Sequence, residues 1–278
     1  MRNLVANLCF RSTAFLALLL LCVAGGGAQT TSGAISVQLE RPTVSLGEPI
    51  LMQVRVDNRA SVPLDLDLGG DGTENILISI VGPDGKTRQK PPTMRKEGIV
   101  FFGNVHLESG SSYAQTVVLN QWFQFEETGR YEIKVTLQSS LRIAGKSIPA
   151  GDFVLALEIS PGNPSQLASA SSQLVSRIHA EGSAQDSLSA ALALSFVHDS
   201  VVVPYWAQVL EQPGFAHETA INSLANVGNS DAVAVLVRSL QGPDGNTKSW
   251  ARSALKAIAT HTTEPSIKKQ IDEALLRQ

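Results

Sequence analysis

"ETGRYEIKV", residues 127–135, sets Thr128, Gly129, Arg130 and Tyr131 directly before a run of strict alternation. Tyr131, Ile133 and Val135 alternate with Glu132 and Lys134, the period of a strand with one buried face. A tyrosine at the start of a late strand, preceded by a glycine turn, can fold its ring under the core and return its hydroxyl to the backbone of the corner before it. The stretch therefore predicts the corner of an antiparallel β-sandwich, with Tyr131 in a structural role.

Working outward, the same period recurs through the N-terminal part. In "PILMQVRVDN" Met52, Val54 and Val56 alternate with Gln53, Arg55 and Asp57. Similar runs occupy residues 35–40, 62–69, 75–81, 98–107, 113–119 and 153–159, separated by turn signals such as "GPDGK". Seven or eight short strands in about 125 residues is the pattern of a sandwich. The basic run "KTRQKPPTMRK", residues 86–96, reads as a solvated loop between strands.

Composition changes near residue 160. "SPGNPS", residues 160–165, holds two prolines and a glycine, which continue neither a strand ladder nor a helix interior. Beyond it Ala, Ser, Leu and Val recur at helical spacing. Aligning residues 192–210 with residues 221–240 superposes Leu194 on Leu224, Val197 on Val227, Val203 on Val233 and Leu210 on Leu240, all at an offset of 30. "SWARSALKAIA" adds a partial copy, with Leu255 and Ile258 at an offset of 31. A short period shared by independent apolar positions predicts a helical solenoid. The expected division is a signal peptide at 1–28, a sandwich at 34–160, a linker at 161–165 and helical repeats at 166–278.

The signal is read from Arg2 and Arg11 ahead of the apolar run 14–24, with Gly26 and Ala28 at minus three and minus one of a cut after Ala28. That run of 11 residues is short of the roughly 20 a membrane-spanning helix needs. The expectation is a secreted or periplasmic protein with no stable membrane insertion after signal cleavage. Cys9 and Cys22 both lie within the signal, so the mature chain has no thiol for a disulfide, a metal or a nucleophile. The chain carries 22 basic and 25 acidic residues; without Arg2 and Arg11 the balance is 20 against 25, or minus five. Such a surface does not select nucleic acid or anionic membrane as its main partner.

No catalytic or metal constellation emerges. "HETAI" has Ile221 where a zincin places its second histidine. Ser253 with Lys256, and Ser266 with Lys269, meet the Ser-x-x-Lys spacing without the other elements of such acylation sites. Asp65 and Asp67 are the solvent side of a strand whose Leu64, Leu66 and Leu68 point inward, and with Asp71 they lack calcium-loop spacing. The histidines at 106, 179, 198, 217 and 261 show no pairing at ligand spacing. The chain is accordingly read as non-enzymatic, with no cofactor and no metal.

Two resemblances carry the fold further. "LNQWFQFEETGRYEIKV" and "SLGEPILMQVRVDN" resemble the corner and second strand of immunoglobulin-like domains of exported bacterial proteins, over residues 34–160 and without the antibody cysteine pair. "HETAINSLANVG", "KSWARSALKAIA" and "DAVAVLVRSL" resemble short HEAT-like repeats of the kind also found in bilin lyases. His217 and Lys248 stand where such repeats often have Arg, so the usual polar ladder is expected to be missing. The fold class is multidomain, all-β plus all-α: an immunoglobulin-like antiparallel β-sandwich followed by a short HEAT-like α-helical repeat domain.

Binding candidates follow from residue type and register. Trp122 and Phe123 lie in the aromatic cluster "NQWFQF", and Tyr205, Phe215 and Trp250 decorate the repeats; aromatics of this kind anchor interfaces. Asn222, Asn226, Arg252 and Lys256 fall on the side of the second helices away from the inward leucines, where solenoids present a groove. Trp206, which aligns with Leu236, and Phe125 are read as core. The function expected is an exported protein–protein interaction module or scaffold with a protein partner. Alternatives of other classes are an inhibitor of exported proteases and a bilin lyase-like enzyme.

Overall fold

The computed structural model describes residues 35–69, 72–92, 104–138, 141–143, 146–148, 151–181 and 183–277. The signal at 1–28, Asp71, the later part of the basic run and the first part of the 98–107 strand lie outside the described residues.

Alternation becomes strand wherever it occurs in the described N-terminal part. One sheet has the order β1 (Ile35–Leu39), β3 (Leu51–Asp57), β8 (Ser112–Val118). A second runs β11 (Lys146–Ile148), β10 (Leu141–Ile143), β4 (Leu64–Asp67), β7 (Asn104–Leu107). The third runs β2 (Thr43–Ser45), β12 (Asp152–Ser160), β9 (Gly129–Leu137), β5 (Ile76–Val81), β6 (Thr87–Gln89). The pairings are antiparallel except β12 with β2, which is parallel. The 86–96 run is thus more than a loop: its residues 87–89 form the edge strand β6 against β5.

Register places the apolar sides together. Tyr131, Ile133 and Val135 of β9 face Leu157, Leu155 and Phe153 of β12, and Ile133 and Val135 also face Ile80 and Ile78 of β5. Val37 opposes Val54 across β1 and β3. These side chains, with Leu64 and Leu66 of β4, share one buried cluster. The N-terminal part is therefore a region of three sheets around a single core, not a closed barrel.

The corner behaves as its residues require. The Tyr131 hydroxyl donates to the Glu127 carbonyl at 2.9 Å, and its ring meets Phe125 edge-on with centroids 5.3 Å apart. Gly129 has φ 126°, and a Cβ there would stand 3.1 Å from Pro83 Cγ, so the turn needs glycine for both conformation and space.

Between β12 and the helices the chain is held at several points. Ser45 Oγ accepts from the Asn163 amide at 2.6 Å and donates to the Pro161 carbonyl at 3.2 Å. Asn163 then caps the first helix, accepting from the Ser165 and Gln166 amides, with Pro164 at the first helical position.

Seven helices follow: α1 (Pro164–His179), α2 (Ala184–Ser195), α3 (Val203–Glu211), α4 (His217–Val227), α5 (Ser230–Ser239), α6 (Gly245–His261) and α7 (Pro265–Leu276). They stack in two rows, α1-α3-α5-α7 and α2-α4-α6, with α2 also packing on α1, α4 on α3 and α5, and α6 on α5 and α7. The sequence period explains the stacking: Leu194, Leu224 and Leu255 are fully buried, as are Trp206 and Leu236, and all belong to one apolar cluster. Gly228 ends α4 with φ 62°, its amide donating to the Leu224 carbonyl at 3.0 Å.

A polar link joins repeats, in a form the sequence comparison did not anticipate. His217 Nδ1 lies 2.9 Å from Thr247 Oγ1, thirty residues on, and its Nε2 lies 2.6 Å from the Gln212 carbonyl. Thr247 Oγ1 in turn donates to the Asp244 carboxylate at 2.5 Å, and this bond holds the Asp244 carboxyl below its ordinary pKa.

The two parts share a seam. Leu51 and Val118 of the sheets belong to the helical apolar cluster, and α2 packs on β8. Arg177 of α1 clamps the seam: Nη1 donates to Glu40 at 3.0 Å, and Nη2 donates to Asp186 at 2.5 Å. Ser189 Oγ of α2 donates to the Thr116 carbonyl of β8 at 3.3 Å, which occupies one outward carbonyl of that edge strand.

Candidate functional site

Beside this seam the sheets and helices leave a groove of about 470 Å³. One wall is the edge of β8 and the turn after it, contributing Gln115, Thr116, Val117, Val118, Gln121 and Trp122. The other is α2 with the start of α4, contributing Gln185, Leu188, Ser189, Leu192, Phe215 and Thr219. Leu188 and Phe215 are 50% and 53% exposed and line the same groove; exposed apolar side chains that converge mark contact surface. Trp122 is half-buried, its ring packed on the sheet core and covered on one face by Lys90, whose Nζ lies 4.8 Å from the ring centroid.

Every polar side chain lining the groove is an amide, a hydroxyl or the Trp122 indole, and none among the described lining residues is ionisable. Such a wall presents apolar area together with neutral donors and acceptors, the composition of a contact patch for another chain.

The structure distributes the expected binding residues over different places. Trp122 lies in the groove. Phe123, its neighbour, is 3% exposed and packs into the sheet core 6.3 Å from Phe125, so its ring offers no surface to a partner. Asn222, Asn226, Arg252 and Lys256 are exposed on α4 and α6, as the register required. Trp250 is half-buried against the helical core and lies outside the groove lining. Trp206 and Phe125 are buried, as read from the sequence. Phe215, one of the aromatics read as decorating the repeats, lines the groove; Leu188 was not singled out, and the signal available for it was an apolar residue on the solvent side of α2, a weak one alone.

Thr219, Asn222 and Asn226 sit three and four residues apart on α4, hence on one face. The groove and the outward side of the α2-α4-α6 row are thus continuous surface.

A separate polar cluster lies on the sheets. His106 Nδ1 of β7 stands 2.6 Å from Asp65 Oδ1 of β4, and its Nε2 stands 3.5 Å from Glu108 Oε1. The hydrogen bond to Asp65 raises the His106 pKa above 6.5. A raised histidine pKa means that the stabilising contact is complete at low pH and is lost as pH rises through the folded-state value. NMR titration of the His106 ring is expected to show a midpoint above the ordinary histidine value, falling toward it in Asp65→Asn, where Glu108 remains. An unchanged midpoint in that variant would show that Asp65 is not the cause. Among the described residues no group of three or more His, Cys, Asp or Glu could hold a metal ion.

Residues 40–160 match the family model of the flagellar collar protein C N-terminal domain, less than half of the 278-residue chain. The match covers the sheet region apart from β1, and stops where the helices begin. No curated protein matches the chain. Among solved structures, a β-glucosidase from Listeria innocua overlaps 46% of this chain and 16% of its own length at 14% identity and a TM-score of 0.27. A PapD-like domain of human CEP192 overlaps 48% of this chain and 92% of its own at 12% identity and a TM-score of 0.26. Spo0M, a sporulation control protein of Bacillus subtilis, overlaps 51% of this chain and 55% of its own at 13% identity and a TM-score of 0.26. Overlaps this low carry no weight for fold or activity. Among the described residues no helix is long and apolar enough to cross a membrane.

Proposed function

We propose that this chain is an exported, non-enzymatic protein–protein interaction module that acts as a scaffold, with an immunoglobulin-like sandwich at 34–160 rigidly joined to short HEAT-like repeats at 166–278. The observation that carries this reading is the match of residues 40–160 to the flagellar collar protein C N-terminal domain, whose name describes a component of a protein assembly. Two features of the molecule support it. The groove between sheets and helices gathers exposed apolar groups and neutral hydrogen-bonding groups, and the Arg177 clamp with the buried Leu51 and Val118 fixes its two walls relative to one another. Preorganised walls spare a partner the cost of ordering them on binding. On this reading the partner belongs to the cell envelope or to a structure assembled beyond it, because residues 1–28 read as an export signal.

The experiment is site-specific photo-crosslinking in cells. A photoreactive residue in place of Leu188 is expected to trap a discrete protein that the same residue in place of the remote, exposed Val62 does not trap. Intact mass of the product from the envelope fraction or medium is expected to begin at Gln29. A cytoplasmic product that retains Met1 would end the export reading, and identical adducts from both positions would end the assignment of the groove.

A further inference from the structure

The outward side of the α2-α4-α6 row changes chemistry along its length. The offset of 30 makes Leu192 and Asn222 equivalent positions on α2 and α4, and likewise Leu188 and Glu218; the offset of 31 to α6 puts Ser253 and Ser249 at those positions, with Arg252 and Lys248 directly beside them. At α2 this surface is apolar and merges with the groove at Leu188 and Phe215. At α4 it is largely amide. At α6 it is basic: Lys248, Arg252 and Lys256 recur every fourth residue, which sets them on one face over three turns.

The basic end is unusual for this molecule. The whole chain has formal charge −3, yet α6 has no Asp or Glu between Gly245 and His261. Arg252 and Lys256 are exposed, Lys248 is half-buried, and none of the three pairs with a carboxylate among the described residues. Some exposed cations elsewhere have local partners, Arg88 with Asp84 at 2.9 Å and Lys134 with Asp152 at 3.3 Å, and others such as Arg130 and Arg238 have none among the described residues; α6 differs in gathering three on one helix that carries no carboxylate. Glu218 is the carboxylate on the exposed side of α4, and among the described residues no ion pair joins it to α6.

We infer that the α2-α4-α6 face binds an acidic, amphipathic segment of a partner protein, with an apolar side chain seated between Leu188, Phe215 and Trp122 and carboxylates set against Lys248, Arg252 and Lys256. This rests on the interaction-module reading and adds the chemistry of the partner. Adjacent packed helices lie about 8–10 Å apart, so the apolar and basic ends are separated by about 20 Å. About six extended residues or about thirteen helical residues cover that span. Asn222 and Asn226, lying between, offer both donors and acceptors to the segment's backbone or polar side chains. Charge complementarity of this kind sets orientation and association rate, and its contribution falls with salt.

The test uses the mature full-length chain and a fluorescein-labelled 14-residue peptide with leucines in one half and glutamates in the other. Anisotropy is expected to show saturable binding that weakens about tenfold between low and moderate salt. Arg252→Glu with Lys256→Glu should weaken it about tenfold or more at low salt without altering the melting temperature, and Leu188→Asp should weaken it comparably. A peptide with lysines for glutamates should fail to bind. The inference is overturned if the lysine peptide binds as well, if the charge-reversed variant keeps full affinity, or if the glutamate peptide does not bind the wild-type chain. Preferential binding to vesicles of anionic lipid, or a change in oligomeric state on sedimentation of the charge-reversed variant, would assign the face to a membrane or to a second copy instead. If the Leu188 crosslink forms while charge reversal has no effect, the interaction module stands and the acidic recognition falls.

Discussion

Leu224→Ala is expected to lower the stability of the chain by about 2 to 5 kcal/mol, the largest loss among the substitutions considered. Leu224 is fully buried in α4, and its equivalents Leu194 in α2 and Leu255 in α6 are buried in the same apolar cluster. Truncation removes its transfer free energy and leaves a cavity, because the neighbouring helices are held by their own contacts and collapse only in part. The helices cannot slide to fill the gap without breaking the His217–Thr247 link that ties α4 to α6. Urea melts followed by circular dichroism at a helical wavelength measure the loss. A loss under about 0.5 kcal/mol is the mark of a surface position, and would contradict the inward placement on which the repeat register rests.

Tyr131→Phe is expected to cost about 1 to 3 kcal/mol, the range for a buried polar group deprived of its hydrogen-bond partner. The substitution keeps the ring against Phe125 and removes only the hydroxyl that donates to the Glu127 carbonyl at 2.9 Å. It isolates the corner bond from the packing around it. Burial also raises the phenol pKa above 10. With the folded-state value raised, the stability that the phenol contributes is complete below the unfolded-state pKa and is lost as pH climbs through the folded value. The wild-type chain should therefore lose stability in that alkaline range, and the Phe variant should lack this component. A melt indistinguishable from wild type at neutral pH would show that Tyr131 does not tie the corner.

How far the fold could be read from the chain varies from element to element. In β3, β5, β9 and β12 the alternation of apolar and polar residues is local information, since a strand's side chains point to opposite faces whatever lies beyond it. The corner is equally local: Gly129, Tyr131 and Glu127 lie within five residues, and the bond between them follows from the backbone path of a single turn. The helical rows were legible because a repeat brings equivalent positions into contact at a constant offset, so that Leu194 and Leu224 announce one another.

The candidate site was legible only in part, and Trp122 with Phe123 shows why. The two are consecutive in an irregular turn, where no period assigns a side chain to inside or outside. The sheets decided that Phe123 enters the core while Trp122 faces the groove under Lys90. Lys90 itself belongs to a stretch that reads as solvated, and it reaches Trp122 because β6 pairs with β5 as an edge strand.

By itself, then, the sequence determined the long alternating strands and the extent of the helical part, which side of each is apolar, where the glycine-dependent corner lies and a spacing of about thirty residues among the buried leucines; the short strands β2, β6, β10 and β11 carry too few residues to show a period. Tertiary structure alone decided the rest: the parallel pairing of β2 with β12, the seating of α2 on β8, the clamp of Arg177 on Glu40 and Asp186, and the groove that results. These contacts join residues far apart in the chain, Glu40 and Arg177 by 137 positions, and no local period encodes them. They form because the apolar surface left over on each part, Leu51 and Val118 on the sheets and the inner side of α1 and α2 on the helices, is buried only when the two parts meet.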